Sequence, residues 1–503
     1  MAQQPLPPDT SVFPDPVYKD TVLRPLFDGS KTHHVQAFRA VDRAHLVMLS
    51  ETGILPQETA ATIARALAAM ETEIDPATLT YTGEVEDYFF LTEKELKARV
   101  GADIGGRLHT ARSRNDIDHT LFKLALKPRL DQLLAEARAL CAALIVKARA
   151  GHKTLIVAYT HGQPAQPTTF GHYLSAAIEI LLRDISRIEA ARDVVNLSSM
   201  GAAAITTSGF AIDRARVAEL LGFRGPQQNS YSCIAAVDYI TATYSALELL
   251  FLHLGRLIQD FQFWTAFEVG QLHVPNALVQ ISSIMPQKRN PVPIEHMRHL
   301  SSQTVGRARV MLDIMHNTPF TDMNDSEGES QEAGYQAFDS ASRVLRLLSA
   351  FVAQVQVNSA RVAANIDRSC ITITELADSL VRREGLSFRL AHEIAADTAR
   401  AVVAADTSLT AGGFAPFARA FLAHTGRDST LSQADFAQIV SPDYFVAVRD
   451  RFGGPAPAPM LAALASYDQA LAQAEARAQT LADHETRARQ ALDAAFQTLT
   501  EIR

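Results

Sequence analysis

Apolar positions repeat along this chain with the spacing of α-helices. Between residues 117 and 150, Leu121, Leu124, Leu130, Leu133, Leu134, Leu140 and Leu144 fall mostly three, four or seven residues apart, which lines one helical face. Three more segments, about 168–195, 232–268 and 294–318, are long and free of internal proline. The 232–268 segment is apolar almost all round, a pattern that belongs in the middle of a bundle or in a subunit interface. Period-two alternation is scarce, and the stretch Ile366–Ile373 is too short and mixed to read as a strand. The pattern therefore predicts an all-α protein with a long central helix bundle. Breaks near Gly101–Gly106 and near 358–372 divide it into an N-terminal helical part (1–110), a central long-helix part (111–365) and a C-terminal helical part (366–503). The run GGPAPAP at 453–459 reads as a tight linker before a last amphipathic helix, 461–500. Long Ala/Leu-rich helices serve scaffolds as well as enzymes, so the fold by itself leaves that choice open.

Composition narrows the partners. The 503 residues carry a net charge of −8, so no general polyanion-binding face is expected, and neither nucleic acid nor an anionic membrane is a default partner. Cys141, Cys233 and Cys370 form no CxxC pair, which argues against a disulfide framework or a zinc cluster and suits a reducing cytoplasm. The opening MAQQPLPPDTSVFPDP has no apolar core of the kind a secretory signal needs. No apolar run is long enough for a transmembrane helix.

Chemistry concentrates in residues 281–293, ISSIMPQKRNPVP. Pro286 and Pro291 prevent a continuous helix, leaving a loop that exposes backbone N–H groups beside an ammonium and an amide. Removing a proton next to a carboxylate turns it into a dianionic aci-carboxylate, and such a donor set would stabilise that charge. A nearby serine could then act as base, provided the same positive field stabilises its alkoxide. Taken alone, a Ser/Pro/Lys loop is more often an ordinary turn with a solvated lysine, here Lys288.

The ten residues from Ser282 to Pro291 resemble the signature loop of the fumarase/aspartase superfamily, and match the SSxMPQKxNP form of its argininosuccinate lyase branch at every fixed position. Residues 107–116, RLHTARSRND, resemble the branch's LHTGRSRND with Ala111 in place of the usual Gly; residues 158–168, AYTHGQPAQPT, resemble YTHxQxAQP. The resemblance implies a three-domain, cofactor-free and metal-free homotetramer with active sites built from three chains. It implies Ser282 as general base, Lys288 and Asn290 as carboxylate ligands with Ser283 beside them, and Thr160 as a further carboxylate contact. It also implies His161 in polarising or proton-transfer work. Arg112, Ser113 and Asn115 supply a guanidinium, a hydroxyl and an amide before a helix N-terminus, and are expected to bind the two succinyl carboxylates together with Thr160, Lys288 and Asn290. Thr160 and His161 are expected at the start of the next long helix.

The match fails in an ordered way. No WGGRF-like opening is found, the branch's EDIHTANE-like segment reads EDYFFLTE with Phe89 for the usual His, and NSxDAVSDRD becomes NSYSCIAAVDY. In the YNxDLQEDKE-like segment, here PFTDMNDSEGE, the usual Tyr falls at Pro319 or Phe320 and the Gln becomes Asn324. Positions expected around the succinyl half are kept and those around the guanidino half are altered, which should cost discrimination for a guanidinium. The expectation is a carbon–nitrogen lyase that releases fumarate from an N-substituted aspartate, an aminopolycarboxylate of the ethylenediamine-N,N'-disuccinate type. The alternatives are argininosuccinate cleavage and, in another class, a non-catalytic crystallin-like protein.

Overall fold

A computed structural model describes residues 12–502; most of the proline-rich opening, residues 1–11, lies outside the described residues. Four helices, α1 (Arg24–His33), α2 (Val35–Glu51), α3 (Gln57–Glu73) and α4 (Tyr88–Val100), open the chain. They bury Phe27, Val41, Leu46, Ile63 and Phe89 in a first core.

Helix α5 (Arg114–Ala150) follows and runs 37 residues, about 55 Å at 1.5 Å per residue. Its start is fixed by a capping box: the Ser113 side chain takes a backbone N–H of the first turn, and the Ser113 N–H donates to Asp116 at 2.9 Å. Pro128 lies inside the helix without ending it. A β-hairpin, β1 (Leu155–Thr160) and β2 (Gln163–Thr169), turns the chain into α6 (Phe170–Val195). Next come α7 (Asp238–Thr265), a short hairpin of β3 (Gln280–Ile281) and β4 (Arg289–Asn290), α8 (Val292–Met315) and α9 (Gly328–Gln354).

Helices α5 to α9 form the bundle around Leu130, Leu144, Ile178, Leu247, Phe261 and Leu348. Contacts fix their directions. His119 of α5 meets Tyr239 at the start of α7, and Arg129 of α5 stacks on Tyr335 near the start of α9. At the other end Trp264 of α7 lies 4.3 Å, centroid to centroid, from Tyr173 near the start of α6. So α5, α7 and α9 run one way, while α6 and α8 return. At Gly334 a Cβ would sit 2.0 Å from Tyr244 Oη, so that glycine permits the close α7–α9 approach. The apolar circumference of α7 is not fully used within one chain: Leu252 remains 46% exposed and Leu249 37%.

Helices α10 (Ile373–Glu384), α11 (Phe388–Ala404) and α12 (Phe414–Thr425) build a third core on Phe417, Phe421 and Phe436. Buried Glu375 is held there by Arg382 and Arg449. The last helix, α13 (Pro457–Glu501), leaves this part. It places Met460 and Leu464 in the bundle core, and Leu492 and Phe496 in the first core.

Among the described residues no helix is long and apolar enough to cross a membrane. His34, His45 and His119 are buried, and desolvation pushes each down to about 3. With a folded value below the unfolded one, the unfolded chain binds more protons, so each histidine's contribution is lost as pH falls below about 6.5. By pH 5 the loss is on the order of 1–2 kcal/mol per histidine. Buried carboxylates raised by desolvation act in the opposite direction, so one histidine must be isolated. His45→Gln, which can still donate to the Thr110 carbonyl, should flatten the fall of Tm between pH 6.5 and 5. Equal slopes in wild type and variant would contradict it.

Candidate active site

The first group of site residues lies at the start of α5. The tight turn before the helix passes through Ala111 at φ +62°, a left-handed conformation that glycine adopts without strain. Arg112 turns inward: it is buried and donates to Asp42 at 2.6 Å. Ser113 and Asn115 are half-buried; Ser113 Oγ donates to Asn115 Oδ1 at 3.1 Å, and Asn115 Nδ2 donates to the Ala204 carbonyl at 3.1 Å. Segment 199–207 is drawn to this end by Asp116, whose carboxylate accepts the N–H groups of Gly201 and Ala203 at 2.8 and 2.9 Å. Burial raises Asp116 to about 6 against these donors.

The second group is on the hairpin, which corrects the expectation that Thr160 and His161 open a helix. Thr160 ends β1 and pairs with Gln163; His161 and Gly162 form a two-residue turn at φ +54° and +73°. Positive φ at both positions is the type I′ turn, where a non-glycine residue is strained. Helix α6 begins only at Phe170. Thr160 and His161 are exposed at the tip.

The third group sits on the β3–β4 hairpin. Ser282 Oγ accepts the N–H of Met285 at 3.1 Å and that of Ile284 at 3.4 Å. Arg289 ties the far strand to the Val274 carbonyl at 2.7 Å. Ser283 and Lys288 are exposed, Ser282 and Asn290 half-buried. The second and third groups share one end of the bundle: buried Gln271 accepts the Val157 N–H at 3.0 Å and donates back to its carbonyl at 3.3 Å.

The structure thus separates what the sequence groups together. Ser113 and Asn115 begin α5, whereas Thr160 and His161 follow the other end of this helix, which is about 55 Å long. A site using both sets needs more than one copy of the chain.

Residues that spacing did not single out also gather at the α5 start. Arg114 pairs with Asp87 at 2.9 Å and Glu86 at 3.1 Å. Asp118, Asp322 and Glu327 lie near it, and burial raises all three. His119 stands beneath, bonded to Tyr239 at 3.1 Å. These residues come from four distant stretches, so only the folded chain brings them together. Among the described residues no group of three or more His, Cys, Asp or Glu side chains could hold a metal ion.

Comparison with known proteins identifies the family. Residues 21–306 match the family described as Lyase, and residues 370–447 match Argininosuccinate lyase C-terminal. Argininosuccinate lyase 2 of Agrobacterium fabrum is 68% identical over 495 residues, covering 98% of each chain. Argininosuccinate lyase 1 of Shouchella clausii is 31% identical over 453 residues, covering 90% of this chain and 91% of its own. Among solved structures, an EDDS lyase variant with bound fumarate superposes with a TM-score of 0.85 at 27% identity, covering 97% of this chain and 96% of that one.

The placement of the two groups at opposite ends of α5 predicts complementation. Asn115→Ala and His161→Ala, each inactive, should regain activity when mixed, unfolded and refolded together. Random assembly leaves about one quarter of two-chain sites intact. Fumarate release that stays at the background of either variant would contradict a shared site.

Proposed function

The chain belongs to the argininosuccinate lyase family and is a carbon–nitrogen lyase that releases fumarate; from that premise we propose that its substrate is an N-substituted aspartate of the ethylenediamine-N,N'-disuccinate type, cleaved with Ser282 as base. The observation that carries the catalytic part is the position of Ser282 Oγ, which accepts two backbone N–H groups on the same hairpin that holds Lys288. Such donors lower the cost of an alkoxide.

In this mechanism Ser113, Asn115, Thr160, Ser283, Lys288 and Asn290 hold the two succinyl carboxylates. Arg112, committed to Asp42, acts through the 107–113 turn and positions Ser113. Ser282 takes a proton from the carbon that bears no nitrogen, and the electron pair moves into the adjoining carboxylate. The aci-carboxylate returns that pair to form the fumarate double bond as the C–N bond breaks. The bonding pair leaves with nitrogen, which is protonated at the His161 side of the site. Reversal adds an amine to fumarate.

The choice of amine rests on two substituted positions. Phe89, where the branch has His, is buried against His109 at 5.5 Å between ring centroids. Phe320 stacks on Tyr231 at 5.9 Å where a Tyr is usual nearby. Both changes remove polar partners a guanidinium would use. Cleavage of argininosuccinate is the second reading, supported by the names of the two relatives. The apolar ridge of Leu249 and Leu252 supports burial against further copies, and we assign the assembly as a homotetramer. The three cysteines are buried and unpaired, which supports a cytoplasmic setting.

Ser282→Ala should lower fumarate release by at least roughly a thousandfold while leaving substrate binding within a few-fold. Activity within tenfold of wild type would remove Ser282 as base. Proton NMR of fumarate with ammonia, arginine and ethylenediamine, beside argininosuccinate in the forward direction, should show diamine addition and little argininosuccinate cleavage. The reverse pattern would establish the second reading.

A further inference from the structure

Helices α2, α3 and α4 leave an open cavity of about 200 Å³ between them. Its wall is largely apolar, lined by Phe38, Leu67, Met70, Ile74 and Leu91. A void of roughly 150 Å³ holds a benzene ring, so this one takes a phenyl or isobutyl group with a few further atoms. None of the described residues that line it holds a succinyl carboxylate in the mechanism above.

Two opposite charges interrupt the apolar wall. Arg39 and Asp42 both line the cavity, three residues apart on α2 and close enough along one face to pair. The structure pairs neither with the other. Asp42 Oδ1 accepts from Arg112 Nη1 at 2.6 Å, while its Oδ2 has no hydrogen-bond partner among the described residues. Arg39 reaches the Glu71 carbonyl at 3.4 Å and has no carboxylate within ion-pair distance among the described residues. The other two carboxylates of the lining are taken, Glu71 by Arg43 and Glu95 by Arg99 at 3.7 Å.

A third polar group stands beside them. Tyr88 lines the same cavity and is 4% exposed, and its hydroxyl has no hydrogen-bond partner among the described residues. Burial pushes that hydroxyl up, Arg39 pulls it down and Asp42 pushes it up again, so both charges act on it. A buried tyrosine hydroxyl ordinarily finds a partner. A polar ligand atom held by Arg39 or Asp42 would supply one.

These three groups define what fits. An apolar amine would leave Arg39 unmet, and an apolar acid would bring its carboxylate up to Asp42. An α-amino acid carries both charges on one carbon, with its side chain beyond them. We propose that this pocket binds an apolar α-amino acid, its carboxylate on Arg39, its ammonium on Asp42 and its side chain among Phe38, Leu67 and Met70. The bound ammonium would share Asp42 with Arg112, whose turn leads into Ser113, so the pocket is coupled to the start of α5. Binding is read without turnover, so its outcome is independent of the lyase reading.

Calorimetric titration of the intact assembly tests this with L-phenylalanine, 2-phenylethylamine and 3-phenylpropanoate, which share one body and differ in charge. Phenylalanine should bind with Kd on the order of 0.1 mM. Each singly charged analogue should bind at least about tenfold more weakly, the loss expected for one charge-assisted hydrogen bond. Arg39→Gln, at a half-buried position outside the mechanism, should weaken phenylalanine about tenfold and leave fumarate release unchanged. Tyr88→Phe, which keeps the ring, should weaken it roughly fivefold. No binding of phenylalanine, analogues within about threefold of it, or unchanged affinity in Arg39→Gln would overturn the proposal. The last of these would place phenylalanine elsewhere, as an amine in the lyase site.

Discussion

The length of α5 governs the rest of the molecule, and Asp116 fixes where that helix begins. One buried carboxylate accepts the N–H of Ser113 and those of Gly201 and Ala203, tying the turn before the helix to a loop some 85 residues later. Two turns on, Lys123 donates to the Leu197 carbonyl, Ser199 Oγ and Gln227 Oε1 at 2.9–3.0 Å. Removing either group would strand buried partners, at about 1–3 kcal/mol each. With its start pinned, the helix runs 37 residues before the chain can turn, so the two halves of the chemistry are held apart in any one copy.

That separation gives each end of the bundle a distinct character. One end carries the β3–β4 hairpin, where Lys288, Asn290 and loop N–H groups favour developing negative charge. The other carries Ser113 and Asn115 beside a patch of carboxylates with a single guanidinium among them. On the proposed mechanism, a site that draws on both ends takes them from different copies of the chain. The apolar ridge on α7 provides surface for such an assembly.

How much of this was legible in the sequence depended on how local each signal is. Leucine spacing gave the long helices because a helix face repeats within a few residues. The Ser282–Pro291 string was legible because its groups lie on one hairpin. The β1–β2 hairpin was not: Pro164 and Pro167 lie within β2 and break the expected strand composition, so Thr160 and His161 were expected to open a helix. The inward turn of Arg112 depends on Asp42, 70 residues earlier. Helix α13 shows no local sign of returning to the first two cores, and GGPAPAP suggested only that a helix follows. The group of Asp87, Asp118, His119, Asp322 and Glu327 has no sequence spacing at all; the two turns of α5 and the approach to α9 create it.

In a crystal structure of the Ser282→Ala assembly with fumarate bound, fumarate should lie between Lys288 and Asn290 of one copy and Ser113 and Asn115 of another, with the residue-282 side chain facing its carbon atoms. Fumarate contacted by a single chain, or bound away from the 281–293 loop, would contradict the shared site.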